Sequence, residues 1–170
     1  AEEIAKQAGL TERTFFRYFA DKREVLFYGS HELEASLVRS VAEAPASAAP
    51  IEAVTSALET AGEALQDRRE FARKRQAVIA ENPALQEREL IKLATVASAL
   101  ADTLRQRGAS DAAATLAAEA GMAIFRIAVT RWARETNERD LPGLIQASLA
   151  ELRAVTATRP RRSRRRESGS

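Results

Sequence analysis

Residues 12–19 form a short stretch rich in side chains that bind nucleic acid. At 100° per residue, a helix through this stretch places Phe15 and Phe19 together on one face. The remaining arc carries Arg13, Thr14, Phe16, Arg17 and Tyr18. Arginine forks suit guanine edges or phosphates, threonine suits a base or a thymine methyl, and aromatic rings suit methyl or sugar contacts. The pattern predicts a helix that is buried on one side and offers a DNA-reading surface on the other.

A second helix is predicted immediately before this one, over residues 1–8. Gly9 ends it, because glycine adopts the left-handed conformation of a helix end, and Thr11 caps the next helix by accepting a backbone hydrogen bond. The three-residue turn between them is typical of two helices that meet at a steep angle. Apolar residues suited to cover Phe15 and Phe19 are Ile4, Ala5, Ala8 and Leu10. The two helices are therefore interpreted as a helix-turn-helix.

The rest of the sequence also predicts helices. Asp21 and Glu24 form a capping-box pattern that opens a long helix from Lys22 to about Ala44. Proline and glycine then punctuate a connector at 45–50 and helices at 51–67, 70–81, 84–107, 111–135 and 141–157. We expect a DNA-binding part with its long helix at 1–44, a helical regulatory and dimerisation domain at 45–158, and a disordered arginine-rich tail at 159–170. The predicted fold class is all-α.

Composition excludes several kinds of site. The chain has no cysteine and one histidine, so disulfides and thiol–metal centres are excluded, and we expect no metal and no cofactor. No apolar run reaches the length of about 18 residues that spans a bilayer, so we expect a cytoplasmic protein with no membrane partner. Residues 153–170 carry seven arginines against one glutamate, which leaves the remainder acidic. The basic tail is therefore poor support for DNA binding by the folded body.

The start of the chain resembles the TetR family of transcriptional regulators over roughly 27 residues. The matching positions are Ile4-Ala5, Ala8-Gly9, Thr11, Thr14, Phe15-Phe16, Tyr18, Phe19 and Lys22. The resemblance implies phosphate contacts by Thr11, Tyr18 and Lys22. It implies major-groove contacts by Arg13, Thr14 and Phe16, with Arg17 at either position. Phe16 departs from the family, which often has tyrosine there, so one polar contact is lost.

The resemblance also implies an architecture. Family members begin with a further helix that packs across the helix-turn-helix, and we expect that helix in a segment preceding Ala1. The family forms homodimers through its last two helices, binds palindromic double-stranded operators, most often represses, and responds to a small-molecule effector. Apolar stripes suited to pairing, or to intramolecular core, are Leu116, Ala117, Ala120, Gly121, Ile124, Phe125, Ala128 and Trp132, and then Leu141, Leu144, Ile145, Leu149 and Leu152.

An effector pocket is predicted among the middle helices. Its proposed lining is Phe71, Arg75, Val78, Ile79, Leu93, Met122 and Phe125. A buried Arg75 would indicate an anionic group on the effector, but the basic run RKR favours an exposed Arg75. Trp132 is expected in core or interface, and His31 is expected in solvent on the long helix.

An enzyme and a helical carrier or interaction module are the two other classes of protein to consider for this sequence. The sequence has no cysteine nucleophile, glycine-rich phosphate loop, HExxH pair or serine elbow, so we do not expect an enzyme. A helical ligand carrier or protein-interaction module, without specific DNA binding, is the alternative. As a separate alternative, the arginine-rich tail is a nonspecific nucleic-acid arm, which would add affinity without sequence choice.

Overall fold

The computed structural model describes residues 30–134 and 139–157. Its helices are α1 (Ser30–Glu43), α2 (Pro50–Leu65), α3 (Arg69–Ala80), α4 (Pro83–Gln106), α5 (Asp111–Trp132) and α6 (Leu141–Thr156). Every regular element in these two ranges is helical, which confirms the predicted all-α fold. The helices predicted at 1–8 and 12–19, the start of the long helix at Lys22 and the tail at 159–170 lie outside the described residues.

The helix starts follow local signals in the sequence. The side chain of Asn82 accepts hydrogen bonds from the amides of Ala84 and Leu85, at 3.1 and 3.4 Å, and Pro83 opens α4. Asp140 caps α6 by accepting a 2.8 Å bond from the amide of Gly143. Such caps satisfy amides that have no partner inside the helix. The helix predicted at 51–67 ends earlier, at Leu65, because residues 66–68 form a 3-10 turn.

The main core surrounds α2. This helix packs against α1, α5 and α6, and α4 packs against α5 and α1. The largest fully buried side chains are Trp132, Leu37, Leu58, Leu100, Leu104, Leu141, Ile145, Val41 and Val54. Except for α3, each of these helices therefore buries one apolar stripe against its neighbours in the same chain.

Most of the apolar stripes on α5 and α6 belong to this intramolecular core. Gly121 lets α2 approach α5, because a methyl group there would overlap the side chain of Val54. Further along the two stripes, Ala117, Ile124, Ala128, Leu144 and Leu149 are also buried. Of the two roles considered from the sequence, core packing takes most of these residues, and Leu116 is left exposed.

Helix α3 lies outside the main core. Its one buried side chain is Ile79, which forms a small separate cluster with Leu85 of α4. The rest of α3 is exposed or partly buried. This helix is therefore attached to the body by less apolar packing than its neighbours.

Candidate ligand cavity and dimer face

The residues predicted to contact DNA lie outside the described residues. They are Thr11, Arg13, Thr14, Phe16, Arg17, Tyr18 and Lys22. Their assignment stays a prediction. His31, the first residue of the long helix with a described side chain, is exposed as expected.

A cavity of about 230 Å³ lies between α1, α3, α4 and α5. Leu33 and Leu37 of α1 line the cavity on one side. Phe71 and Ala72 of α3 are the apolar residues that α3 contributes to the lining. The lining is completed by Leu65, Leu93, Val96, Met122, Phe125, Val129 and Trp132, with the polar residues Arg68, Arg75, Gln76, Glu89, Lys92 and Arg126. A mostly apolar cleft with a few polar groups is the usual form of a small-molecule site.

The structure brings five of the seven predicted pocket residues together. Phe71, Arg75, Leu93, Met122 and Phe125 all line the cavity. Val78 does not, and its side chain is 46% exposed. Ile79 is buried instead against Leu85, where α3 turns into α4 beyond the end of the cavity. That this cavity binds a ligand remains a prediction.

Helical spacing would have identified more of the lining. On α5, Met122 and Phe125 are followed by Arg126 and Val129, which continue the same face at the i, i+3, i+4, i+7 spacing. On α4, Glu89, Lys92 and Val96 extend the face of Leu93 in the same way. No comparable signal identifies Leu33 and Leu37, since they are distant in sequence and are brought here by the packing of α1 on α4.

Arg75 is paired across the cavity wall with Glu89. Its two terminal nitrogens donate to the two carboxylate oxygens at 3.0 and 2.5 Å, and the side chains are 22% and 28% exposed. The expectation of an exposed Arg75 was therefore wrong: a bidentate partner on α4 draws the guanidinium into the wall and compensates its charge. Arg68, Lys92 and Arg126 also line the cavity.

Trp132 closes one end of the cavity. Its side chain is 1% exposed, which places it in the core as predicted. Its indole nitrogen is buried with no hydrogen-bond partner among the described residues. Arg69, the first residue of α3, donates 2.7 Å bonds to the carbonyls of Trp132 and Arg134 at the end of α5. The beginning of the cavity wall is thereby tied to the last turn of α5.

Apolar side chains remain uncovered on α5 and α6. Leu116 is 70% exposed and Ile127 is 43% exposed, and their spacing of eleven residues places them on one face of α5. Val155 of α6 is 80% exposed. These residues, with the partly buried Ala120 and Ala123 between the first two, define the dimer-face candidate. Sequence reasoning found only Leu116 and Ala120 among them.

An ion pair joins α5 to α6 on their outer surface. Two nitrogens of Arg131 donate to the carboxylate of Glu151 at 2.9 and 2.8 Å. This hydrogen bond lowers the pKa of Glu151 and raises the pKa of Arg131. The pair fixes the two helices relative to each other at moderate exposure, where such pairs contribute little stability individually.

The sequence matches two family models that together cover most of its 170 residues. Residues 48–157 match the model described as the MftR C-terminal domain, one of the C-terminal models of TetR regulators, and residues 1–28 match the model of bacterial regulatory proteins of the tetR family. The chain belongs to the TetR family.

A TetR-family chain is a transcriptional regulator, and regulators of this family are typically not enzymes. The second match covers the stretch that contains the predicted helix-turn-helix. No curated protein matches the sequence.

One helix of this TetR-family chain, α5, has the length and apolar composition of a membrane span, with a mean hydropathy of 1.5 over its most apolar window. It packs against α2, α4 and α6 within the described domain. A single core helix passes the same test of composition, so this finding is weak support for membrane insertion.

Proposed function

We propose that this TetR-family chain is a cytoplasmic, ligand-responsive repressor that binds a palindromic operator as a homodimer. The observation that carries the proposal is the position of α1. Leu33 and Leu37 of α1 line the cavity, and the same helix is predicted from the sequence to begin at Lys22, beside the DNA backbone. One helix would then touch both the effector and the DNA.

The proposed effector is a small and mostly apolar molecule, because apolar side chains form most of the cavity wall. Arg68 and Arg126 also line the cavity, so an acidic group on that molecule would have a guanidinium to pair with. Binding in the cavity alters the tilt of the two recognition helices and so their separation. Half-sites on DNA are about 34–36 Å apart, so a displacement of a few ångströms is enough to weaken binding.

The proposed dimer uses the exposed face of α5 and α6. Leu116, Ile127 and Val155 are large apolar residues that stay 43–80% exposed in the described structure. A two-fold axis across this face would bury them against their own copies, since a closed dimer uses the same patch twice. Two recognition helices then read two half-sites, which gives the sequence choice that one helix alone cannot provide.

The test uses the full-length gene product and an operator duplex selected with it from a random pool. The probe is N-phenyl-1-naphthylamine, an apolar fluorophore that accepts energy from Trp132, the single tryptophan of the sequence. We expect the probe to bind free protein and operator-bound protein with affinities that differ about 5- to 150-fold, because coupling between two sites is reciprocal. Equal affinities would show that the cavity does not regulate DNA binding.

A pair of variants on α3 controls for the site of binding. Ala72→Phe fills the cavity and is expected to abolish probe binding, whereas Ala77→Phe places the same ring on the exposed face of α3 and is expected to leave it unchanged. Both variants should bind the operator like the parent chain. If no duplex is selected and the probe still binds, the chain is a ligand carrier instead.

A further inference from the structure

The C-terminal end of α1 is held by one arginine from a distant part of the chain. Arg107 donates from one terminal nitrogen to the carbonyls of Ala42 and Ala44, at 3.0 and 2.7 Å, and from the other to the carbonyl of Pro45, at 2.8 Å. Carbonyls at a helix end have no partner inside the helix and carry the negative end of its dipole. A forked cation is therefore well matched to this end of α1.

Arg107 stands at the turn that ends α4. The next residue, Gly108, has a φ of 95°, a left-handed conformation that a side chain disfavours, and the chain leaves α4 there. Arg107 itself keeps a helical backbone conformation, and from this position its guanidinium reaches all three carbonyls. The contact therefore joins the end of α4 to the end of α1.

Apolar burial along α1 also increases toward the end that Arg107 contacts. Val41 is fully buried, Leu37 is nearly so, and Leu33 is only partly buried. The helix is thus fixed near Arg107 by polar and apolar contacts together. Its other end, where Leu33 meets the cavity, is packed less tightly.

We propose that Arg107 is the fulcrum of α1, so that a molecule in the cavity rotates this helix about residues 42–45. The proposal rests on the ligand response proposed above. At a rise of 1.5 Å per residue, Leu33 lies about 15 Å from Glu43, and the predicted helix start at Lys22 lies about 32 Å from it. A push at Leu33 is therefore roughly doubled at the DNA-binding end. Without the fulcrum, α1 shifts at its held end and the push is dissipated.

Arg105 provides a matched control in the same turn of α4. Its guanidinium donates to Asp102 and Asp111, both at 2.6 Å, and to Thr115 at 3.0 Å. These partners lie on α4 and α5, so within the described residues Arg105 makes no hydrogen bond or ion pair to α1. Replacing Arg105 with alanine removes the same charge and a similar number of hydrogen bonds as replacing Arg107. It leaves the contacts between Arg107 and the end of α1 in place.

The experiment measures operator affinity of the full-length product with and without saturating N-phenyl-1-naphthylamine. The parent chain and Arg105→Ala should both show a change of about 5- to 150-fold. In Arg107→Ala the change should fall below about 2-fold while the probe binds as tightly as before. Arg107→Lys keeps the cation without the forked geometry, and it replaces the alanine variant in this test if that variant does not fold. The probe should change its operator affinity by less than half the factor seen in the parent chain.

The outcomes separate the two proposals. A parent-like change in the folded Arg107 variants would overturn the fulcrum and leave the ligand response standing. No change in the parent chain itself, or no binding of the probe, would overturn the ligand response and the fulcrum with it. Equal loss in Arg105→Ala and Arg107→Ala would show a general effect of charge removal, and would also overturn the fulcrum.

Discussion

Gly121 of α5 and Val54 of α2 form a helix contact in the core that depends on the absence of a side chain at position 121. The space that a Cβ would occupy on Gly121 is filled by the isopropyl group of Val54, which is itself fully buried. The two helices can approach only because position 121 carries no side chain.

Gly121→Ala is expected to destabilise the protein by about 1–3 kcal/mol, the typical cost of overpacking a core. The severe overlap with Val54 puts the cost near the upper end of this range, so a net loss of about 2 kcal/mol remains after the gain of about 1 kcal/mol that alanine brings over glycine within a helix. Gly62→Ala is the control, because its methyl group would meet Ile145 and Leu141 at 3.3 Å, a contact that side chains can relieve. Urea denaturation at one protein concentration measures both, and an equal loss in the two variants would contradict this interpretation.

Ile127→Glu is expected to shift the protein from dimer to monomer, because it places a charge in the middle of the dimer-face candidate. Leu90→Glu is a matched control, since Leu90 is also a large exposed apolar residue but lies on α4. Sedimentation equilibrium at tens of micromolar protein measures the molecular mass of each variant, because the dimer population depends on protein concentration. A dimer that survives Ile127→Glu would place the interface elsewhere.

Arg13→Ala is expected to weaken operator binding by about 1–3 kcal/mol and to relax base preference, because arginine reads a base edge through two hydrogen bonds. Lys22→Ala should weaken binding to all duplexes alike, since a phosphate contact carries no sequence information. Mobility-shift titrations on operator and scrambled duplexes distinguish the two. Unchanged operator affinity in both variants would show that the recognition face was assigned wrongly.

The ion pair between Arg131 and Glu151 is expected to make a pH-dependent contribution to stability. The hydrogen bond from Arg131 lowers the pKa of Glu151 in the folded state below its ordinary value of 4.5. Its contribution is therefore complete above that pH and is lost as the pH falls through the lower folded value. The melting temperatures of the parent chain and Glu151→Gln should differ at neutral pH and converge in acid. With Arg131→Gln in the background, the difference should shrink to the smaller contribution of Arg139, which also lowers the pKa of Glu151.

The sequence was a good guide to the helices because their ends depend on neighbouring residues. Asn82-Pro83, Gly108 and Pro142 each mark a boundary within a few residues of the observed one. Apolar spacing also identified which faces of α5 and α6 are buried. It did not identify the partner of each face, since the same stripe of small residues suits a helix of either chain. For Gly121 the partner is α2 of the same chain.

The candidate site was less predictable because its polar residues depend on distant partners. The basic run around Arg75 predicted an exposed side chain. Its partner Glu89 is fourteen residues away on the next helix, beyond the turn that joins α3 to α4. Arg107 meets backbone carbonyls more than sixty residues earlier, and carbonyls are present at every position. No local pattern marks such a contact, so it emerged only from the packing of α1 against α4.

The weak attachment of α3 has a kinetic consequence. A helix that contributes one buried side chain to a satellite cluster can open at a free energy well below that of global unfolding. Since α3 is also a wall of the cavity, this local opening changes the size of the cavity without unfolding the rest of the domain. Hydrogen exchange of the α3 amides should therefore be faster than that of the α2 amides, which are released only when the core unfolds.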